Sequence, residues 1–208
     1  MTSYYFIENI KSKGIQWINN KLNRKITFTK PGSISYLFFG KQISEQSVRI
    51  RFGHFGEYIC KELILSTNNF ELMSCGIQNL NNIKKDIDLL FKDKNTKIIY
   101  YRELKGNIEL DTEKIQATIE KCKYIKKYLI DNYPDYTVNY GILNWSVYNN
   151  DYLTSGLSNI RALNKGDIQV DHMEDFFSIL NIQWDENDFY RYFRKLGKLI
   201  KKLIILNN

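Results

Sequence analysis

Two acids, Asp86 and Asp88, stand just ahead of the apolar run Leu89-Leu90-Phe91, and a second apolar run after a short polar turn ends in Glu103-Leu104-Lys105. Side chains alternate along a strand, so Glu103 and Lys105 share one face while Leu104 takes the other. Carboxylates converging at a strand end can hold a divalent cation such as Mg²⁺, which prefers oxygen ligands. A lysine on the same face can position a water and offset charge on a phosphate. Hydrolysis of a phosphodiester needs those parts. The bland alternative for Glu103 and Lys105 is a solvated ion pair near a strand end, contributing at most about 1 kcal/mol.

The elements that must position these groups are legible nearby. A strand over 86–91, a turn over 93–96 and a strand over 97–105 make a hairpin. Residues 112–130 form the clearest helix: Ile115, Ile119, Cys122, Ile125 and Leu129 recur at helical spacing, with Lys121, Lys123, Lys126 and Lys127 outside. "TVNYGILNW" then reads as a strand, and strand–helix–strand argues for a parallel pair. Upstream, residues 4–24 read as a helix, 33–40 ("SISYLFFG") as a strand candidate, and a helix begins near His54. Residues 73–82 read as an irregular connection. "DIQV" precedes a short helix over 173–180 and a long one over 186–206. The expected fold class is α/β of the α+β type, a central mixed sheet flanked by helices.

The chain has 208 residues, 43% hydrophobic and 25% charged, enough for one domain with a real core. Its net charge of +7 favours a polyanionic partner, DNA or RNA before an acidic membrane. No apolar run is long enough to span a membrane, and the N-terminus lacks a secretory pattern. Three widely spaced cysteines, Cys60, Cys75 and Cys122, match neither a disulfide framework nor a zinc site. Together these lead us to expect an intracellular, cytoplasmic protein without membrane partners. "GHFGE" is not a phosphate-binding glycine loop, which argues against ATP use. His172 lacks a metal-ligating partner at suitable spacing and is taken as a core or surface residue.

Acid, hairpin turn, then Glu-x-Lys resembles the pattern of the PD-(D/E)xK nucleases, without the Pro that precedes the Asp there. "YYRELKGNIELDTEK" (100–114) and "KQISEQSVRIRFGHFGEYICKELI" (41–64) look like segments of Type II restriction endonucleases, so the resemblance covers about 41–145. It implies a restriction-endonuclease-like fold and a Mg²⁺-dependent, sequence-specific double-strand DNA endonuclease. Asp88 and Glu103 would be metal ligands with the Leu104 carbonyl as a third, and Lys105 would orient the attacking water. Glu57 would be an auxiliary acid on the preceding helix. Asp86 competes with Asp88, since strand parity does not separate them; Asp88 is preferred because it directly precedes "LLF".

The resemblance further implies a homodimer on a palindromic site and a companion DNA methyltransferase. Lys84, Lys85 and Asn107, which flank the hairpin, are candidate DNA contacts. The whole chain is read as one nuclease domain with its catalytic core at about 41–145. The helical part at about 171–208 is a candidate DNA-contacting or dimerising element. Two alternatives stand beside this reading: a structure-selective nuclease such as a junction resolvase or repair nickase, and a basic nucleic-acid-binding protein without catalysis.

Overall fold

A central five-stranded sheet carries every residue of the Glu-x-Lys motif, and its strand order follows from how the segments are joined. The computed structural model describes residues 4–21, 27–106, 112–146, 158–160 and 167–206. These form two compact units, one comprising Cys60–Glu186 and the other Ser3–Ile59 with Asn187–Asn208.

In the first unit the sheet order is β1-β4-β5-β6-β7, with β1 at Phe70–Leu72, β4 at Leu89–Asp93, β5 at Ile98–Lys105, β6 at Thr137–Asn144 and β7 at Gln169–His172. The turn between β4 and β5 is closed by Asp93, whose carboxylate accepts the Asn95 N–H at 2.8 Å and the Thr96 hydroxyl at 2.7 Å. Such a turn makes β4 and β5 antiparallel. Helix α4 (Thr112–Asn132) crosses from β5 to β6, which pair in parallel, as do β6 and β7. The result is a mixed sheet flanked by helices.

Helix α4 buries Ile115, Ile119, Cys122, Ile125 and Leu129 against Ile99, Tyr101, Tyr140 and Ile142, as the periodicity anticipates. On the opposite face Phe91 stacks on Tyr100 and meets Phe176 of α5 (Met173–Ile179) edge-on. That face also holds Arg102, only 1% exposed, whose Nε donates to Asp171 Oδ2 at 2.6 Å. Its remaining nitrogens reach the Tyr101 and Asn139 carbonyls and Asn139 Oδ1, so one guanidinium ties β5, β6 and β7 together.

A separate two-stranded sheet pairs β2 (Gly76–Leu80), within the expected irregular connection 73–82, with β3 (Ile83–Ile87), and the strand expected over 86–91 is divided between β3 and β4 at Asp88. The two-residue turn from β2 to β3 is Asn81-Asn82, both at positive φ (50° and 68°), the conformation that the tightest hairpins require. Asn tolerates it without advertising it as Asn-Gly does.

In the second unit, α1 (Tyr4–Lys21), the first part of α3 (Glu45–Leu65) and α6 (Glu186–Leu206) are long helices, and α2 (Ile34–Phe39) is a short one. Residues 34–39 had been expected as a strand. The Ser33 side chain accepts the Tyr36 N–H, and Gly40 at φ 68° ends the turn, so local caps override the aromatic strand preference. Helix α3 begins nine residues before His54 and runs through Gly53; Ser44 accepts the Ser47 N–H at its start. Tyr192 and Leu196 of α6 are buried, while Arg191, Arg194, Lys195, Lys198, Lys201 and Lys202 are exposed. Among the described residues no helix is long and apolar enough to cross a membrane.

Removing Asp171 strands a buried guanidinium, which costs about 3–5 kcal/mol for a buried pair broken on one side. Asp171→Ala should lower the urea-unfolding free energy by that order, and Asp131→Ala on the exposed face of α4 by less than about 0.5 kcal/mol. Comparable losses would remove the Arg102 network from its structural role.

Candidate active site at the end of strand β5

Strand β5 is longer than its antiparallel neighbour. The β4–β5 register ends at Leu89 opposite Arg102, so Leu104 lies beyond the ladder. There the chain breaks between β3 and β4 at Asp88, and Asp88 Oδ2 accepts the Leu104 N–H at 2.8 Å. A carboxylate thus takes over where the backbone ladder stops. In a strand the N–H and C=O of one residue point the same way, so the Leu104 carbonyl also faces the β4 side, toward Asp88.

Glu103 lies on the other face of β5 from Arg102 and is 5% exposed. Its Oε1 accepts Lys105 Nζ at 2.9 Å, and its Oε2 accepts the Tyr101 hydroxyl at 3.0 Å and Lys121 Nζ at 2.5 Å. The same Lys121 ammonium stands 3.8 Å from Asp88 Oδ1. Asp88 and Glu103 therefore face a common cation, with Lys105 alongside.

The electrostatics follow from that geometry. Burial pushes the Glu103 carboxyl upward, but the Lys105 and Lys121 ammonium groups outweigh it and hold the carboxyl below its usual range. Burial likewise works against the charge on Lys121, and Glu103 and then Asp88 overcome it, leaving its pKa raised. Burial and the adjacent Glu103 keep Tyr101 firmly protonated as a donor. The same two causes push the Cys122 thiol up to about 12, so it packs as a neutral side chain rather than serving as a nucleophile.

Among the residues expected at the site, Asp88, Glu103, Leu104 and Lys105 come together. Asp86 is exposed on β3, paired in register with Ile77, and so sits in different surroundings from Asp88. Lys84 is exposed on the same strand, and Lys85 is half-buried with its Nζ 5.2 Å from the Tyr124 ring centre. Glu57 lies on α3 in the other compact unit. Asn107 lies outside the described residues. Beyond Lys105, Asn144 and His172 continue one row across the ends of the three parallel strands, both buried.

Two contributors were missed. The periodicity places Lys121 among the solvated lysines of α4, and nothing in the sequence singles out Tyr101. A signal existed for Lys121: it sits three residues after the buried Thr118 and four before the buried Ile125, at the edge of the apolar stripe.

The donor set suits a small hard cation. Two carboxylates and a backbone carbonyl leave positions for water, as Mg²⁺ prefers. Among the described residues no group of three or more His, Cys, Asp or Glu converges, so the side-chain donors here are the two carboxylates alone.

No protein-family model matches the chain. A stretch of 57 residues is 40% identical to the Type II restriction enzyme HinfI of Haemophilus influenzae. The match spans 27% of this chain and 22% of that enzyme, so about a fifth of the relative's length is covered.

Because the folded Glu103 pKa lies below its ordinary 4.5, its charge contributes stability that is fully present above that pH. That stability is lost as pH falls through the lower folded value. Glu103→Gln should cost about 2 kcal/mol at pH 7, where charged hydrogen bonds are broken. It should also flatten the decline of unfolding free energy as the pH falls below about 4.5. An acid limb as steep in the variant as in the parent would separate Glu103 from acid stability.

Proposed function

We propose that the chain is a nuclease, and specifically a Mg²⁺-dependent Type II restriction endonuclease that hydrolyses double-stranded DNA at a defined sequence. The observation that carries this reading is the convergence of the Asp88 and Glu103 carboxylates at the end of β5, both facing the Lys121 ammonium, with Lys105 on the neighbouring oxygen of Glu103. The partial similarity to a Type II restriction enzyme supports it independently. A restriction-endonuclease-like fold is part of the same proposal, in keeping with a mixed sheet whose central strand ends in the motif.

Asp88, Glu103 and the Leu104 carbonyl would hold the metal. Bound there, Mg²⁺ supplies Lewis acidity toward water and the scissile phosphate. Lys105, anchored on Glu103 Oε1, orients the attacking water and offsets the charge that builds on the non-bridging oxygens. Water attacks phosphorus in line, the bond to the 3′-oxygen breaks and that oxygen takes a proton, leaving 5′-phosphate and 3′-hydroxyl ends. The Leu104 N–H holds one oxygen of Asp88 and leaves the other facing the Lys121 ammonium. Lys84, Lys85, Asn107 and the exposed cations of α6 are assigned to phosphate contacts, in keeping with the net charge of +7.

A palindromic target read by a homodimer places one such site on each strand. The host genome then needs a methyltransferase of the same specificity.

Unmethylated phage DNA incubated with the purified chain should yield discrete bands with Mg²⁺ and none with EDTA. Asp88→Asn, Glu103→Gln and Lys105→Met should each slow cleavage by at least about 100-fold, the usual cost of removing one preorganised charge from a reacting centre. Parent-like rates in all three would sink the assignment. Cutting confined to branched or mismatched substrates would transfer it to a structure-selective nuclease.

A further inference from the structure

Two ammonium groups hold Glu103, and they hold different oxygens. Lys105 takes Oε1. Lys121, reaching across from α4, takes Oε2 and also faces Asp88 Oδ1. A divalent cation linking Asp88 and Glu103 has to use the oxygens that face each other, and the space between them holds the Lys121 ammonium. Two cations cannot share that space, since like charges about 4 Å apart in a partly desolvated site repel strongly.

Building on the metal-site reading above, we infer that Lys121 is a resident counter-cation of this site, and that a divalent metal binds Asp88 and Glu103 only by displacing it. The side chain suits the task. An ammonium on a four-carbon stem is a compact charge that swings readily, unlike the planar fork of an arginine. It also has somewhere to go. The Lys121 side chain is already one-fifth exposed, so a displaced ammonium has water beside it. The arrangement lets two acids stay ionised and ordered on a partly buried strand end before any metal arrives. It also sets the metal affinity of the protein without DNA lower than the two carboxylates alone would give.

Mn²⁺ binding to the full chain without DNA, followed by electron paramagnetic resonance, tests the competition in the parent and in Lys121→Met, Lys105→Met and Glu103→Gln. Lys121→Met should bind Mn²⁺ roughly tenfold more tightly than the parent, within the usual range of coupling between two sites. Lys105→Met should change affinity less. On the parent protein itself, saturating Mn²⁺ should raise the rate at which an acylating reagent labels Lys121, read by mass spectrometry. Unchanged Lys121 labelling, or Lys121→Met binding no more tightly than the parent, overturns the displacement while leaving the metal site in place. Mn²⁺ binding indifferent to Glu103→Gln overturns the metal site itself, and the displacement with it.

Discussion

A carboxylate removed from water must find cations and donors or give up its charge, and Glu103 is nine-tenths or more buried at the end of the strand that the sheet is built around. It keeps its charge because three side chains from two elements meet it: Tyr101 and Lys105 from β5 itself and Lys121 from α4. That requirement reaches outward. Helix α4 has to pack across this face in one rotational setting, since a turn of the helix by one residue withdraws Lys121 and presents Cys122. The apolar stripe from Ile115 to Leu129 sets that rotation, so core packing and site charge enforce one another.

The other face of β5 carries a second buried charge, Arg102, answered by Asp171 of β7 and the Asn139 side chain of β6. Adjacent residues of one strand thus bury opposite charges on opposite faces. A slip of one residue would send Arg102 toward Lys121 and Glu103 toward Asp171, burying like charges together. The two clusters make register a matter of electrostatics as well as hydrophobic pattern. Buried ion pairs are poor sources of net stability, but they penalise the wrong arrangement heavily.

Asp88 shows how a topological ending becomes chemistry. The β4–β5 ladder ends while β5 continues, which leaves the Leu104 backbone facing a gap in the pairing. The chain fills it with a carboxylate at the junction of β3 and β4 rather than with another strand residue. One oxygen satisfies the backbone and the other faces the Lys121 ammonium. Asp86, two residues earlier, belongs to the two-stranded sheet instead and stays exposed.

The primary structure by itself determined the hairpin, the α4 stripe, the parallel β5–β6 pair and the shared face of Glu103 and Lys105. All of these rest on short periods of 2 or 3.6 residues and on turn chemistry such as that of Asp93. It misjudged residues 34–39, where two caps outweighed aromatic strand preference, and β2, whose Asn-Asn turn is a weak signal. Which of Asp86 and Asp88 meets β5, and that Lys121 rather than Lys123 or Lys126 leaves the solvated side of α4 for the site, only the tertiary structure decided. Those choices depend on where β3 breaks and how α4 is rotated on the sheet. Both are set by contacts between residues far apart in the chain, which no local period records.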